Sequence, residues 1–468
     1  MPRTVQHLTQ AERTAQGKDA RRRLPRDRHG DWDVTQRQIQ PLDLLAEQAT
    51  TRLPDLVPIR HARMAASPFA YYRGAALPMA ADLSTRPNSG LRVQLCGDAH
   101  LSNFGGFASP ERDLVFDIND FDETAPGPFE WDLKRLCASL EIASRELGFD
   151  AGTARAITLA GARSYQKAIR EFAAMTALDV WYARLDVQGL VQRWGGSADA
   201  KQMRTFRRVT KAATSKNEIK ARAKLTKPGP DGLRFRSDPP LLVPVRELVG
   251  EIEAQAGLEL VHEMIRSYRR TLQANRRHLL ETYRYVDLAR KVVGVGSVGT
   301  RCWVALFVGR SDDDTLILQV KEAEASVLER FAGSSAYRNH GQRVVQGQQL
   351  MQAASDIFLG WHRVAQGLDG KQHDYYARQL WDWKVSAAIE TMLPAGMTIY
   401  AEMCGWTLAR AHARSGDPLV IGTYIGASDM FPQALARFAH AYADQNEADH
   451  RSLADAIADG RVAADTSF

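Results

Sequence analysis

Between Tyr285 and Ala323 a chain that otherwise reads as helix turns into strand. KVVGVGSVG, RCWVALFVG and TLILQVKEA are short, apolar and rich in β-branched and aromatic residues, and the polar GRSDDDT between the second and third reads as a hairpin turn. A helical stretch around Val344–Ala354 leads to two further strands, DIFLGWHRVA and DYYARQL. Elsewhere apolar residues recur at three- and four-residue spacing. They do so from Trp131 to about Arg222, from about Leu258 to Tyr283, and in VSAAIETML, TIYAEMCGWTLARAHARSG and two amphipathic stretches to the end. LRVQLCGDAH and LVFDINDFDE are two strands within the first helical part. The expected organisation is a basic, loosely structured arm over 1–40 and a helical part over 41–284. A β-rich part over 285–384 and closing helices over 385–468 follow. At 468 residues the chain is long enough for two or three domains.

Composition excludes several classes. With 44% hydrophobic and 25% charged residues the chain is neither disordered nor fibrous. No run approaches the roughly 18 uninterrupted apolar residues of a membrane span. The N-terminus MPRTVQHLTQAERTAQGKDARRRLP has charges but no apolar core, so no secretory signal is expected, and Arg21-Arg22-Arg23 reads as a solvated arm. Cys96, Cys137, Cys302 and Cys404 have neither zinc nor disulfide spacing and are expected reduced and buried in a cytoplasmic protein. A net charge of +6 suits an anionic ligand. The segment Lys201–Arg236 carries twelve Lys/Arg against Glu218 and Asp231, but few interleaved stacking aromatics, which argues against nucleic acid.

Two constellations carry chemistry. The first begins with Gly97-Asp98-Ala99-His100-Leu101-Ser102-Asn103, where an aspartate is followed five residues later by an asparagine after a strand. That is the spacing of a kinase catalytic loop, in which the Asp accepts the proton of the attacking hydroxyl and the Asn ligates Mg²⁺. Fourteen residues after Asn103 comes Asp117-Ile118-Asn119-Asp120-Phe121-Asp122-Glu123, whose carboxylates repel one another unless a cation offsets them. Asp120 is the expected main Mg²⁺ ligand and Asp122 a second one. Strand alternation turns Asp117 and Asn119 toward solvent. The second constellation is Gly294-Val295-Gly296-Ser297-Val298-Gly299. A dinucleotide fingerprint of this form opens a helix, whereas here a strand follows, as in a kinase lid over ATP phosphates. Glycines there allow close backbone approach. One strand later, Lys321 is placed to contact phosphate, and Tyr375–Leu380, with Gln379, leads to a hinge that would meet adenine. The glutamate that normally holds such a lysine is missing from NHGQRVVQGQQLMQ, which leaves Lys321 without an obvious partner.

GDAHLSNFG and FDINDFDETAPGPFEWDLKRLCASLE together resemble the aminoglycoside phosphotransferase and choline kinase branch of the kinase superfamily. Over nearly its whole length the chain also resembles the bacterial family catalogued as domain of unknown function 2252. The matching segments include MAASPFAYYRGAA, VQLCGDAHLSNFGGF, GVGSVGTRC and GQRVVQGQQLMQAASDIFLGW. The kinase resemblance implies an α+β, two-lobed protein-kinase-like fold binding ATP and Mg²⁺, with an unidentified acceptor. Because Asp98 and Asp120 precede Gly294 and Lys321, it implies a circularly permuted order, with a mainly helical C-lobe built from both chain ends. Three functions stay open: phosphoryl or nucleotidyl transfer, a nucleotide-binding pseudokinase, and a metal-dependent hydrolase.

Overall fold

The protein is described here by a computed structural model covering residues 7–196, 204, 208, 210, 218–230, 232–249, 257–367, 369–380 and 383–467. Most of the basic segment Lys201–Arg236 therefore lies outside the described residues. The chain opens with helix α1 (Gln10–Arg23), started by a reciprocal cap in which Thr9 Oγ1 accepts from Glu12 N and the Glu12 carboxylate takes the Thr9 N–H. This segment, expected to be loose, is docked. Gly17 lies so close to the helix Pro418–Ile425 that a Cβ would meet Val420 O at 2.6 Å. Arg21 and Arg26 donate to the Thr423, Tyr424 and Ile425 carbonyls, which have no partners within their own helix. The contact uses glycine, alanine and arginine, so it leaves no apolar stripe in the sequence.

Helices α2 (Val57–Ala65) and α3 (Pro68–Gly74) precede strand β1 (Arg92–Leu95). β2 (Phe104–Ala108) and β3 (Leu114–Ile118) form an antiparallel hairpin, and β4 (Ala125–Pro128) returns to pair with β1. The two candidate loops are thus the β1–β2 and β3–β4 connections. α4 (Phe129–Glu146) and α5 (Ala151–Ala173) follow, and β5 (Leu185–Asp186) extends the sheet beside β3.

β6 (Thr226–Gly229) and β7 (Gly232–Phe235) make a separate hairpin. A six-stranded antiparallel sheet follows, built from β8 (Leu242–Pro244), β9 (Arg284–Lys291), β10 (Cys302–Val308), β11 (Thr315–Ala323), β12 (Gly360–Val364) and β13 (His373–Gln379). Its order is β12-β13-β11-β10-β9-β8, and helix α6 (His340–Met351) connects β11 to β12. Alternation gives the sheet two faces. Ala305, Phe307, Leu316 and Leu318 pack against Tyr268 and Leu272, while Val304, Leu306 and Ile317 pack against Ala221, Leu225 and Phe235. The second face continues into Gln319 and Lys321, whose cross-strand partners are Arg378 and Tyr376. β9 ends at Lys291, before the glycines, and the helix expected from about Leu258 to Tyr283 is two, Leu258–Arg269 and Ala274–Leu280.

After β14 (Val385–Ser386), which pairs with β2, the chain re-enters the helical body as α7 (Pro394–Ser415), α8 (Pro418–Ile425) and α9 (Met430–Ala458). α7 crosses α5 at two glycines: a Cβ on Gly405 would meet Gly161 O at 2.3 Å, so the backbones touch. One apolar core joins Tyr72, Leu95, Phe121 and Leu136 from the first third of the chain to Leu408 and Phe438 from its last. All four cysteines are buried and free. Among the described residues no helix is long and apolar enough to cross a membrane.

Candidate functional site

The β1–β2 loop is locked before it reaches its chemistry. The Asp132 carboxylate, in the first turn of α4, accepts from Cys96 N at 2.8 Å and Gly97 N at 3.0 Å. Gly97 has φ +86, and a Cβ there would lie 2.1 Å from Glu123 O, so only glycine lets the two candidate loops run side by side. Asp98 follows. Its Oδ1 accepts from Arg135 Nε at 2.8 Å, and Arg135 also lies over the Tyr72 ring at 3.9 Å and donates to Tyr72 O. His100 Nε2 is 3.6 Å from Asp98, and burial drives its pKa down to about 4, so the ring is neutral. Asn103 Nδ2 donates to Asp98 O at 2.8 Å, which leaves its side-chain carbonyl as the end able to ligate a hard cation. Its own backbone carbonyl accepts from Asn119 N at 2.7 Å, tying the loops together.

In the β3–β4 loop Asp122 is the hub. Lys321 Nζ donates to its Oδ2, Tyr376 Oη donates to its Oδ1 at 2.6 Å, and Ser297 Oγ of the glycine loop reaches Oδ2 at 3.3 Å. Asp120 Oδ2 lies 3.6 Å from Lys321, and Asp120 Oδ1 accepts the Asp122 N–H. Burial raises the pKa of Asp120, but Lys321 and Arg378 outweigh it and hold the carboxyl below its ordinary value. Burial likewise works against the Lys321 ammonium, and Asp120 and Asp122 overcome it, keeping the lysine charged well above its usual range. Asp120 also feels the Asp98 charge, which puts both loops and Lys321 in one electrostatic neighbourhood. Glu123 is held by Val327 N at 2.8 Å, and burial pushes its pKa up to about 7.

The glycine loop is fixed to the helical body. Gly294 and Gly299 have positive φ, the Gly294 carbonyl accepts from Arg63, the Val298 carbonyl from Arg52, and the Gly299 carbonyl from Leu53 N. A Cβ on Gly296 would meet Arg73 O at 3.1 Å. Val298 is buried with Leu56 and Ile59 beneath.

The structure therefore brings Asp98, Asn103, Asp120, Asp122, Ser297 and Lys321 into one region. Gln379 is engaged elsewhere, its N–H donated to the Asp356 carboxylate. Asp117, expected in solvent, is buried: Arg410 Nη2 of α7 donates to it at 2.6 Å and Ala353 N at 2.9 Å. The offsetting charge for Asp120 and Asp122 comes in this structure from Lys321 and Arg378. α6 carries no glutamate, and its Arg343 donates to the carbonyls of Asp122, Thr124 and Glu324 and lies 3.5 Å from Glu329. Tyr376, Arg378, Arg343 and Arg135 were not expected from the sequence. The available signal was alternation in DYYARQL, which sets Tyr376 and Arg378 on one face.

Among the described residues no group of three or more His, Cys, Asp or Glu is arranged to hold a metal ion. Mg²⁺ sites are built from one or two carboxylates together with substrate phosphates, and Asp120, Asp122 and the Asn103 carbonyl are a donor set of that type. The family model described as an uncharacterized protein conserved in bacteria (DUF2252) matches residues 52–456. No curated protein and no solved structure matches the chain.

Proposed function

The chain belongs to the DUF2252 family, and on the geometry of its site we propose that it is an ATP- and Mg²⁺-dependent phosphotransferase with a kinase-like, permuted architecture. The observation that carries the reading is the convergence of Ser297, Lys321 and Tyr376 on Asp122, from positions 175, 199 and 254 residues further along the chain. A glycine loop between two antiparallel strands, a lysine on the third and a helix before the fourth form the phosphate-holding half of a kinase site. β9, β10, β11 and α6 have this order. Asp98, five residues before Asn103, supplies the other half.

In this reading Lys321 and the glycine-loop N–H groups hold phosphate oxygens. Asp120, Asp122 and the Asn103 carbonyl would hold Mg²⁺, which supplies charge neutralisation across the phosphates when bound. Asp98 takes the proton of the acceptor hydroxyl as the new O–P bond forms and the bond to ADP breaks, ADP leaving with the electron pair. Arg135 keeps the Asp98 carboxylate oriented. The same pairing favours a second reading, a nucleotide-binding regulatory module without turnover, because it occupies one oxygen of the candidate base.

Calorimetry of ATP with Mg²⁺ or chelator, beside ATP turnover, separates these readings. Wild type should bind ATP more tightly with the metal. Asp98→Asn should retain that affinity while turnover falls roughly 10²–10⁴-fold, the usual effect of losing a general base. Lys321→Ala should lose nucleotide affinity. Binding with no turnover in any acceptor mixture selects the regulatory module, and no ATP binding by wild type ends both readings.

A further inference from the structure

We infer that Arg73 is the anion-binding residue of this cleft, receiving a phosphoryl or carboxylate oxygen between the glycine loop and Asp98. The inference rests on the phosphotransfer reading for the identity of that anion, but not for the existence of the subsite.

Arg73 belongs to the motif SPFAYYRGA (67–75), which takes no part in the proposed phosphoryl transfer. The motif builds a rigid pedestal. Ser67 caps α3 by accepting from Ala70 N at 3.1 Å, and Pro68 occupies the first turn, where its missing N–H has no cost. Phe69, Tyr71 and Tyr72 are buried. Gly74 closes the helix against Met64, whose sulfur would lie 2.6 Å from a Cβ. Tyr72 supports the Arg135 that holds Asp98, and the Arg73 carbonyl lies under Gly296. Arg73 is therefore set by its backbone at the seam between the phosphate lid and the candidate base.

Its side chain is the exception among the arginines there. Arg135 pairs with Asp98, Arg378 donates to Asn119 O, Arg343 to three carbonyls, Arg52 to Val298 O and Arg63 to Gly294 O. The Arg73 side chain makes no hydrogen bond or ion pair among the described residues, and its Nε is buried without a partner. The charges it feels are Asp98, Glu390 and Glu146, none within ion-pair distance, and burial pulls its pKa below the ordinary arginine value. A guanidinium on a fixed backbone, partly desolvated and without a partner among the described residues, presents a planar fork suited to an oxyanion. The position also answers an electrostatic need. A phosphoryl group approaching the Asp98 carboxylate is repelled unless a cation sits beside both.

The test is calorimetric titration of inorganic phosphate, Mg-ATP and Mg-ADP into wild type, Arg73→Gln and Arg73→Lys, with melting temperatures taken on each protein. Inorganic phosphate should bind wild type at least about tenfold more tightly than Arg73→Gln, with Arg73→Lys between them because it keeps the charge and loses the fork. If ATP is weakened more than ADP, the anion is the terminal phosphate of the nucleotide. If neither nucleotide changes while the phosphate difference persists, the anion belongs to the acceptor, which is then a phosphorylated or carboxylated hydroxyl compound. If ATP binds none of the proteins but phosphate still discriminates, the phosphotransfer reading falls and the subsite stands. Equal phosphate affinity in wild type and both variants overturns the inference. Should Arg73→Gln melt early, the difference in phosphate affinity between wild type and Arg73→Lys decides the matter in the same way.

Discussion

The Asp117–Arg410 pair holds the β3 strand to the last third of the chain. Both side chains are almost inaccessible, at 2% and 1%, and Asp117 also accepts from Ala353 N. Removing one partner of such a pair leaves a buried charge without compensation, which costs about 3–5 kcal/mol, whereas replacing both by apolar groups of similar volume is often neutral. Asp117→Ala should therefore lower the urea-unfolding free energy by about that amount, and Asp117→Leu with Arg410→Met should recover most of it. A loss below about 1 kcal/mol for the single change would mean that the pair does not anchor α7. The neighbouring carboxylates divide by partner: Asp117 belongs to the fold, Asp122 and Asp120 to the cleft.

At the scale of elements, the two candidate loops are placed by a backbone approach that only one glycine allows. Gly97 and Gly90 share nearly the same positive φ, +86 and +73. A Cβ at Gly97 collides with Glu123 O, while one at Gly90 meets nothing within 4 Å. Gly90→Ala should cost only the left-handed backbone penalty, about 1–2 kcal/mol. Gly97→Ala should cost that penalty plus the displacement of the β3–β4 loop, and should weaken Mg-ATP binding where Gly90→Ala does not. Equal denaturation midpoints for the two variants would show that the loops can separate freely.

For the whole molecule, buried neutral histidines set an acid limit. His362 is buried, stacked on Tyr375 at 5.1 Å, with neither ring nitrogen hydrogen-bonded among the described residues, and burial holds its pKa at about 4. The unfolded ring titrates near 6.5, so the unfolded chain binds more protons between those values. The stability it contributes is complete above about pH 6.5 and is lost as pH falls toward about 4, on the order of 3 kcal/mol. His100 and His29 have pKa values depressed by burial in the same direction. Glu123 acts oppositely: with a pKa raised to about 7, its contribution is complete below the ordinary carboxylate range and is lost as pH rises through about 7. Comparing wild type with His362→Phe isolates one group. The difference in unfolding free energy between them should grow against wild type from pH 7 to pH 4, and a pH-independent difference would show that the folded His362 ring titrates like the unfolded one.

The sequence by itself determined what depends on neighbours a few residues away. The change to β structure near Tyr285, the strands β10 and β11, the lysine on β11, the Asp98–Asn103 spacing and the helix α7 follow from local periodicity and turn chemistry, whereas KVVGVGSVG, read as a strand, is one only at Lys291. Only the tertiary structure decided what depends on surfaces distant in sequence. Alternation correctly set Asp117 opposite Ile118 but could not say that α7 covers that side of β3 and brings Arg410 to it. Nor could it rank Asp122 above Asp120, because both lie beyond the end of β3, where alternation no longer holds. α1 docks through Gly17, Ala20 and arginine–carbonyl bonds, none of which gives a hydrophobic period. Lys321 finds carboxylates from 199 residues away in place of a glutamate on the next helix, a pairing set by how the sheet meets the helical body. Periodicity reports which way a side chain points along its own element. What it meets there is settled by the packing of elements that the chain brings together late.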